Sequence, residues 1–136
     1  MAQIQAYLGF KDNCQEAMEF YQQALGGELD IMTVAQSPVA AHMAAELQDR
    51  VLHSSLVKGD LTLLASDMAR DVSSSQSVSL MLQCASREEA ETYFQQLSEG
   101  GTVTHPLGPS FWGALYGEIT DRFGIRWLLN SSESSS

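Results

Sequence analysis

Positive charge is scarce in this chain. Seven Lys and Arg residues stand against 17 Asp and Glu residues, which gives a net charge of −10 over 136 residues. Binding to a nucleic-acid backbone requires a basic surface, so this composition argues against a DNA or RNA partner. The same acidity is compatible with a neutral or cationic small ligand, although solubility alone also accounts for it.

Long hydrophobic runs are also lacking. The longest strongly apolar runs, such as residues 61–65, are far shorter than the roughly 20 residues needed to cross a bilayer. The chain starts directly with an alternating strand pattern rather than with the basic segment, apolar stretch and cleavage site of a secretory signal. Only two cysteines are present, Cys14 and Cys84, without a metal-binding spacing. We therefore predict a cytoplasmic protein with no membrane partner and with two reduced, buried thiols.

Familiar catalytic motifs are missing as well. The sequence contains no glycine-rich phosphate loop, no nucleophile elbow and no Ser-His-Asp spacing. No two of the three histidines have a short ligand spacing, and His105, which precedes Pro106, is expected to be structural. A histidine-only metal site would therefore require residues that are distant in the sequence.

One segment is present twice. The run E-A-M-E-F-Y-Q-Q at residues 16–23, followed by a Gly-Gly pair, returns as E-A-E-T-Y-F-Q-Q at residues 89–96, again followed by Gly-Gly. Each copy is typical of an amphipathic helix that ends at a glycine. Two copies about half a chain length apart predict one supersecondary unit used twice.

Similar elements are predicted around each copy. In the first half, alternation predicts strands at residues 3–10, 28–35, 51–58 and 61–66, with a helix to residue 25. Asp12 or Asn13 is the expected N-cap of that helix. In the second half, strands are predicted at residues 77–83, 102–105, 111–120 and 125–130. The second helix begins at a capping box formed by Ser86 and Glu89 and ends near residue 98.

The predicted fold is α+β, with two tandem βαβββ units that form curved mixed sheets. The first unit covers residues 1–67 and the second covers residues 77–130, within one structural domain of residues 1–130. A serine-rich linker at residues 68–76 joins them, and residues 131–136 form a tail that we expect to be disordered. Each unit alone leaves one sheet face uncovered, so we expect the units to cover each other and a ligand to bind in the concavity.

Three stretches carry a resemblance to a known family. They are Y-L-G-F with N-C-Q-E-A-M-E-F-Y at residues 7–21, L-A-S-D at residues 64–67, and F-W-G with T-D-R-F-G-I-R-W at residues 111–127. Together with the paired units they resemble the vicinal oxygen chelate superfamily, which contains glyoxalase I, bleomycin-resistance proteins and extradiol dioxygenases. Within it they look like the PhnB-like branch, often labelled demethylubiquinone-methyltransferase-like. The resemblance implies a homodimer with sites in the sheet concavities.

The same resemblance indicates where metal-using relatives place His, Gln or Glu. The matching positions here are Ala6, Leu63 or Ala65, Val78 or Ser79, and Leu128. None of these side chains is a usable ligand for a divalent ion, and Ala114 stands where many PhnB-like chains have a His. We therefore predict no metal and no other cofactor. An S-adenosylmethionine domain is not expected, because the chain lacks a glycine-rich strand-to-helix loop and has no room for that domain beside the paired units.

Three residues are candidates for acid–base chemistry. His53 shares one face of its predicted strand with Ser55 and Val57, and on a concave face it would be suited to act as a general base. Asp67, at the end of a predicted strand, and Glu118 are the candidate carboxylate partners. Each also has a structural interpretation. His53 can be a hydrogen-bonded strand histidine, Asp67 can cap a turn, and Glu118 can lie at a solvated strand edge.

Four residues are candidates for ligand binding. Trp112 and Tyr116 share one strand face with Glu118, and an aromatic pair beside a carboxylate can stack on a flat or cationic ligand, although core packing is the alternative. Arg126 is predicted to point into the concavity, where a guanidinium can bind a carboxylate, or to pair with a partner subunit. His42 lies in an Ala-rich irregular segment and can either close over a ligand or be exposed to solvent.

These observations lead to one main functional hypothesis and two alternatives. The main hypothesis is a metal-free dimer that binds or sequesters a small molecule, with a cationic ligand suited to an acidic, aromatic-lined groove. The first alternative is a lyase or isomerase of the glyoxalase type that uses His53 with a carboxylate or an unrecognised divalent metal. The second is a protein whose function lies only in its dimer or in a larger assembly.

Overall fold

The computed structural model describes residues 2–68, 78–111 and 113–132. The chain divides into two compact units, Met1–Ser73 and Ser74–Ser136. Within the described residues, each unit contains one α-helix and one four-stranded mixed sheet, so the predicted α+β class with two βαβββ units is confirmed. Most of the predicted linker, and the predicted tail after residue 132, lie outside the described residues.

The first unit packs its helix on one face of its sheet. The strands are Ala6–Gly9 (β1), Glu28–Thr33 (β2), Val51–Lys58 (β3) and Leu61–Ser66 (β4), and the helix is Cys14–Leu25 (α1). The strand order is β1-β4-β3-β2, in which β1 runs parallel to β4 and the other neighbours are antiparallel. The apolar stripe of α1, at the spacing expected of an amphipathic helix, is buried, and it consists of Ala17, Phe20, Tyr21 and Ala24.

The second unit repeats this topology. Its strands are Leu80–Cys84 (β5), Thr102–Pro109 (β6), Leu115–Thr120 (β7) and Arg126–Ser131 (β8), and its helix is Arg87–Ser98 (α2). The order is β5-β8-β7-β6, again with one parallel pair, β5 with β8. The face under α2 buries Ile119, Trp127 and Leu129 almost completely. A repeated unit with a conserved strand order is what the duplicated sequence run predicts.

Both helices end where the sequence predicts. Gly26, with φ of 80°, ends α1 in the left-handed region that favours glycine. At the start of α2 the Ser86 hydroxyl accepts from the Glu89 N–H at 3.1 Å, while the Glu89 carboxylate accepts from the N–H of Ala85 at 3.0 Å. Each α-helix has 12 residues.

None of the helices in the described ranges has the length and apolar character needed to cross a bilayer.

Strand ends account for most differences from the predicted elements. β3 and β4 have the predicted limits, whereas β1 begins three residues later than the alternation indicates. β6 was predicted to end at residue 105, but it continues through residues 106–109 with two register shifts against β7. This is possible because β6 is an edge strand, where proline's missing N–H interrupts no second ladder. Ser131 is buried in β8 and therefore belongs to the sheet rather than to the predicted tail.

The segment between β2 and β3 is an ordered loop with short helical turns. It contains two short 3₁₀ turns, Ala40–His42 and Ala45–Leu47, within an ordered loop. The Gln48 side chain donates from Nε2 to the carbonyl oxygens of Ala40 at 3.0 Å and Met43 at 3.2 Å. One glutamine amide thus connects the two turns.

Candidate functional site

Each sheet has one face covered by its own helix and one that this helix does not cover, which we call the open face. Side chains alternate along a strand, so the residues between the buried ones lie on the open face. On the second sheet this face includes Met81, Gln83, His105, Tyr116, Glu118, Thr120, Arg126, Leu128 and Asn130. It carries several of the predicted site residues.

Three of these side chains form a hydrogen-bonded group, which we call the Glu118 cluster: Tyr116, Glu118 and Arg126. The Tyr116 hydroxyl donates to Glu118 Oε2 at 2.9 Å. Arg126 Nη2 lies 3.1 Å from Glu118 Oε1, and the two charged side chains are 26% and 24% exposed. Tyr116 and Glu118 lie two residues apart on β7, whereas Arg126 is diagonal to Glu118 on β8. Each carboxylate oxygen of Glu118 therefore has its own donor.

The Glu118 carboxylate also affects the phenol of Tyr116. Burial disfavours the charged phenolate, and the hydrogen bond and the negative charge of Glu118 act in the same direction, so the pKa of Tyr116 is raised. The Arg126 charge opposes this shift but does not cancel it. Tyr116 is therefore a neutral hydrogen-bond donor throughout the physiological pH range.

Aromatic and apolar side chains flank the cluster. The His105 ring packs edge-on against the Tyr116 ring with a centroid distance of 5.7 Å. Leu128 lies directly opposite Glu118 in the sheet, and Met81 lies opposite Leu128 on the next strand. Across the sheet from β5 to β6, the neighbouring side chains are therefore Met81, Leu128, Glu118 and His105, two apolar groups followed by a carboxylate and an aromatic ring. The sequence predicts a structural role for His105. Its contact with Tyr116 depends on the register of the folded sheet, which the sequence alone does not give.

The predicted ligand-binding residues are distributed over both units. Tyr116 and Glu118 share one strand face, as predicted, and Arg126 points away from the buried Trp127. Trp112 lies outside the described residues. His42 is exposed in the first unit, at the end of the first 3₁₀ turn. The ligand-binding roles of these residues stay predictions.

His53 lies on the open face of the first sheet. It is exposed, and its ring centroid is 6.1 Å from that of Tyr7, with the two planes tilted by 44°. Met32 is its neighbour on β2. Its predicted carboxylate partner Asp67 does not point toward this face, so no His53–Asp67 acid–base pair forms within the unit. A catalytic role of His53 stays a prediction.

Asp67 is a buried structural residue. Its Oδ1 accepts the N–H of Cys14 at 2.9 Å and its Oδ2 accepts the N–H of Val51 at 2.9 Å. It therefore caps the start of α1 and fixes the start of β3 with the same carboxylate. Asn13, at the N-cap position, makes no side-chain cap hydrogen bond. Because both of its oxygens are bonded to backbone amides, this geometry favours the structural interpretation of Asp67, and its role as an acid–base partner stays a prediction.

Asp121, which no local sequence signal marked as a functional residue, has a corresponding role in the second unit. Its Oδ1 accepts the N–H groups of Phe123 at 2.8 Å and Ile125 at 3.0 Å. Its Oδ2 accepts the indole Nε1–H of Trp127 at 2.8 Å. The D-R-F-G-I-R-W motif is thus a folding motif that closes the β7–β8 turn and fixes the buried indole.

The two cysteines are free and buried, as the sequence predicts. The Cys14 Sγ lies 3.5 Å from the Ser54 hydroxyl, which donates to the carbonyl of Ala65. Burial is the main cause that raises the pKa of Cys14 to about 11, and the same cause raises that of Cys84 to about 11. Neither thiol is a ready nucleophile or thiolate ligand at neutral pH.

The metal positions implied by the resemblance can be compared with the first sheet. Ala6, Leu63 and Ala65 alternate onto the face covered by α1, and the last two are buried. The residues on the open face at these points are Tyr7 and Leu64. The sequence register was therefore wrong by one residue on both strands. Leucine offers no donor, and a neutral phenol is a poor ligand for a divalent ion.

The second sheet does not provide a metal donor set either. Val78 and Ser79 precede β5, and the open-face residue nearest to them on that strand is Met81. Leu128 is on the open face but offers no donor, and the nearby carboxylate of Glu118 is already paired with the Arg126 guanidinium. Across residues 2–68, 78–111 and 113–132, no three His, Cys, Asp or Glu side chains come together in a way that could hold a metal ion. The donors of either open face do not fit the metal that the superfamily name implies.

The donors required by S-adenosylmethionine can be tested in the same way. An S-adenosylmethionine domain usually holds its cofactor at a glycine-rich strand-to-helix turn of an open α/β sheet. At the start of α1 the Cys14 amide is bonded to Asp67, and at the start of α2 the Glu89 amide is bonded to Ser86. The turns between β1 and α1, residues 10–13, and between β5 and α2, residues 85–86, contain no glycine, so the residues present do not fit this cofactor.

The chain matches one protein family over residues 2–130, the family described as 3-demethylubiquinone-9 3-methyltransferase. Protein PA1353 from Pseudomonas aeruginosa is 40% identical, with a TM-score of 0.86 over 99% of this chain and 100% of that chain. A putative 3-demethylubiquinone-9 3-methyltransferase, PhnB protein, from Bacillus cereus is 22% identical, with a TM-score of 0.74 over 96% and 99% of the two chains.

The wider fold is also found among solved structures. A glyoxalase/bleomycin resistance protein/dioxygenase family enzyme from Burkholderia phytofirmans has a TM-score of 0.60 at 11% identity, over 93% of this chain and 97% of that chain. At that identity the likeness shows the fold alone. The resemblance predicted from the three sequence motifs is confirmed. The chain belongs to the family described as 3-demethylubiquinone-9 3-methyltransferase, and it has the fold of the glyoxalase/bleomycin resistance/dioxygenase structures.

Proposed function

We propose that this protein binds a small organic molecule on the open face of the second sheet, without a metal and without S-adenosylmethionine. The observation that carries the proposal is the Glu118 cluster. A carboxylate held at both oxygens, by a tyrosine at 2.9 Å and an arginine at 3.1 Å, lies on a sheet face that its helix does not cover. A few preorganised polar groups with apolar neighbours are characteristic of small-molecule sites.

Charge and shape favour a ligand with a positive group and a flat or apolar part. The net charge of −10 attracts cations to the protein and repels anions. The His105 and Tyr116 rings and the Leu128 and Met81 side chains offer aromatic and apolar contacts beside the carboxylate. The family description names a methyltransferase, but neither strand-to-helix turn has the glycine-rich sequence of an S-adenosylmethionine site, and the Glu118 cluster supports a binding function.

A thermal-shift screen against cationic and zwitterionic metabolites and drugs tests this proposal. A ligand at 100 times its Kd is expected to stabilise the folded protein by about 2.7 kcal/mol, because it binds only that state. Glu118→Gln should reduce the shift, whereas Glu88→Gln, at an exposed position on α2, should leave it unchanged. S-adenosylmethionine should produce no shift. Absence of any shift at millimolar ligand would count against the proposal.

Metal analysis of protein purified without an affinity tag tests the metal-free part. We expect no stoichiometric divalent ion, because the open faces lack a suitable donor set. One equivalent per chain, lost in His53→Ala, would overturn this part and favour the lyase or isomerase alternative.

We also propose that the protein is a cytoplasmic homodimer. Large apolar side chains on the open face of the first sheet support association, since Tyr7 is 54% and Met32 is 43% exposed. Two free cysteines support a reducing compartment. Light scattering should give twice the chain mass of 14.9 kDa, and a value equal to the chain mass would contradict the dimer.

A further inference from the structure

We infer that the ligand of the Glu118 cluster is a zwitterion with an ammonium and a carboxylate close together, as in an α-amino acid. Glu118 would bind the ammonium and Arg126 the carboxylate. This inference rests on the proposed function, since it specifies the ligand of the same site. Its basis is the pair of opposite charges, 3.1 Å apart and each about a quarter exposed, on the open face of the second sheet.

Ligands with a single charge are disfavoured by the same pair. A cation must compete with Arg126 for Glu118 and displaces part of an existing ion pair. An anion must compete with Glu118 for Arg126 and also approaches a chain of net charge −10. A zwitterion aligned antiparallel to the pair adds one attraction at each end without removing the existing one. It is also neutral overall, so the net charge of the chain does not repel it.

The side chains around the Glu118–Arg126 ion pair orient it and indicate what kind of side chain the ligand has. The Tyr116 hydroxyl fixes the second oxygen of Glu118, so the carboxylate is oriented before a ligand arrives. Leu128 lies opposite Glu118, and His105 packs against the Tyr116 ring on the other side. A ligand bound across Glu118 and Arg126 would place its side chain against these groups. The geometry therefore points to a zwitterion with an apolar or aromatic side chain.

Calorimetric titration of the wild-type chain with three matched probes tests the inference. L-phenylalanine carries both charges, L-phenylalanine amide carries only the ammonium, and N-acetyl-L-phenylalanine carries only the carboxylate. We expect the two single-charge probes to bind at least about tenfold more weakly, because each loses one charge-assisted contact. Equal or tighter binding of either single-charge probe would overturn the zwitterion.

Variants then assign the two contacts. Glu118→Gln removes the proposed ammonium contact, so L-phenylalanine should then bind no more tightly than N-acetyl-L-phenylalanine. Arg126→Met removes the proposed carboxylate contact, so L-phenylalanine should then bind no more tightly than L-phenylalanine amide. The matched control is a second ion pair of the same unit, Arg87 with Glu91 at 3.5 Å on α2, whose removal by Arg87→Met should change neither ratio. Where a single variant fails to fold, the exchange of Glu118→Arg with Arg126→Glu retains a pair and should retain zwitterion preference. An unchanged probe ratio in folded variants would contradict the assignment.

The outcomes separate this inference from the proposed function. If the zwitterions fail to bind while a single-charge compound from the thermal-shift screen binds and requires Glu118, the zwitterion is wrong and the binding site stands. If no compound of any charge binds, the proposed function itself fails, and the Glu118 cluster is a cross-strand ion pair that only stabilises the sheet.

Discussion

Asp121→Ala will lower the free energy of unfolding by about 3–5 kcal/mol, because it removes a buried carboxylate with three donors. The backbone amides of Phe123 and Ile125 and the indole of the buried Trp127 would lose their acceptor. A loss of this size is a large part of the roughly 5–15 kcal/mol that stabilises a typical domain. Urea unfolding followed by tryptophan fluorescence measures it directly.

Two further variants separate the contacts of Asp121. Trp127→Phe removes only the indole donor among the three, together with some core volume. A double-mutant cycle between Asp121→Ala and Trp127→Phe should give a coupling of about 1.5–3 kcal/mol. Asp60→Ala is the control, because this aspartate is exposed in the β3–β4 turn, and it should stay within about 0.5 kcal/mol of wild type. A loss under about 1 kcal/mol for Asp121→Ala would contradict the assigned role.

Asp67→Ala will destabilise the chain by a similar amount, about 3–5 kcal/mol. The amides of Cys14 and Val51 would be left without their acceptor, at the start of α1 and the start of β3. Both residues are buried, so water does not readily replace the lost carboxylate. Chemical denaturation is again the measurement.

The isosteric change Asp67→Asn tests whether both oxygens matter. An asparagine offers one acceptor oxygen and presents an NH₂ group to the other amide, so we expect a loss intermediate between wild type and alanine. If Asp67→Asn and Asp67→Ala both unfold like wild type while ligand binding disappears, Asp67 would be a site residue and the structural assignment would be wrong.

These two aspartates show where sequence reasoning reaches its limit. Periodicity and the duplicated run predict α1 and the strands β3 and β4 closely, because those signals are local. The bond from Asp67 to the Cys14 amide spans 53 residues, and no spacing rule relates two such positions. Asparagine at the N-cap position was a reasonable local prediction, but a distant carboxylate occupies that role.

Strand register limits the prediction of the site in the same way. A shift of one residue moves a side chain to the other face, so Ala6 was assigned the position that Tyr7 occupies. The strand faces of Tyr116, Glu118 and Arg126 could be predicted, because alternation along one strand determines which side chains share a face. The contact between Arg126 and Glu118 could not be predicted, because it depends on the register in which β7 pairs with β8.

The binding face can be tested directly with protein labelled at the methionine methyl groups. Met81, 54% exposed, lies on the open face of the second sheet; Met32, 43% exposed, lies on that of the first sheet; and Met18 is fully buried. In a methyl NMR titration with a ligand from the screen, or with L-phenylalanine, we predict that the Met81 signal shifts and that the Met18 signal does not. A ligand that saturates the protein and shifts other methionine signals while leaving Met81 unchanged would contradict binding on the open face of the second sheet.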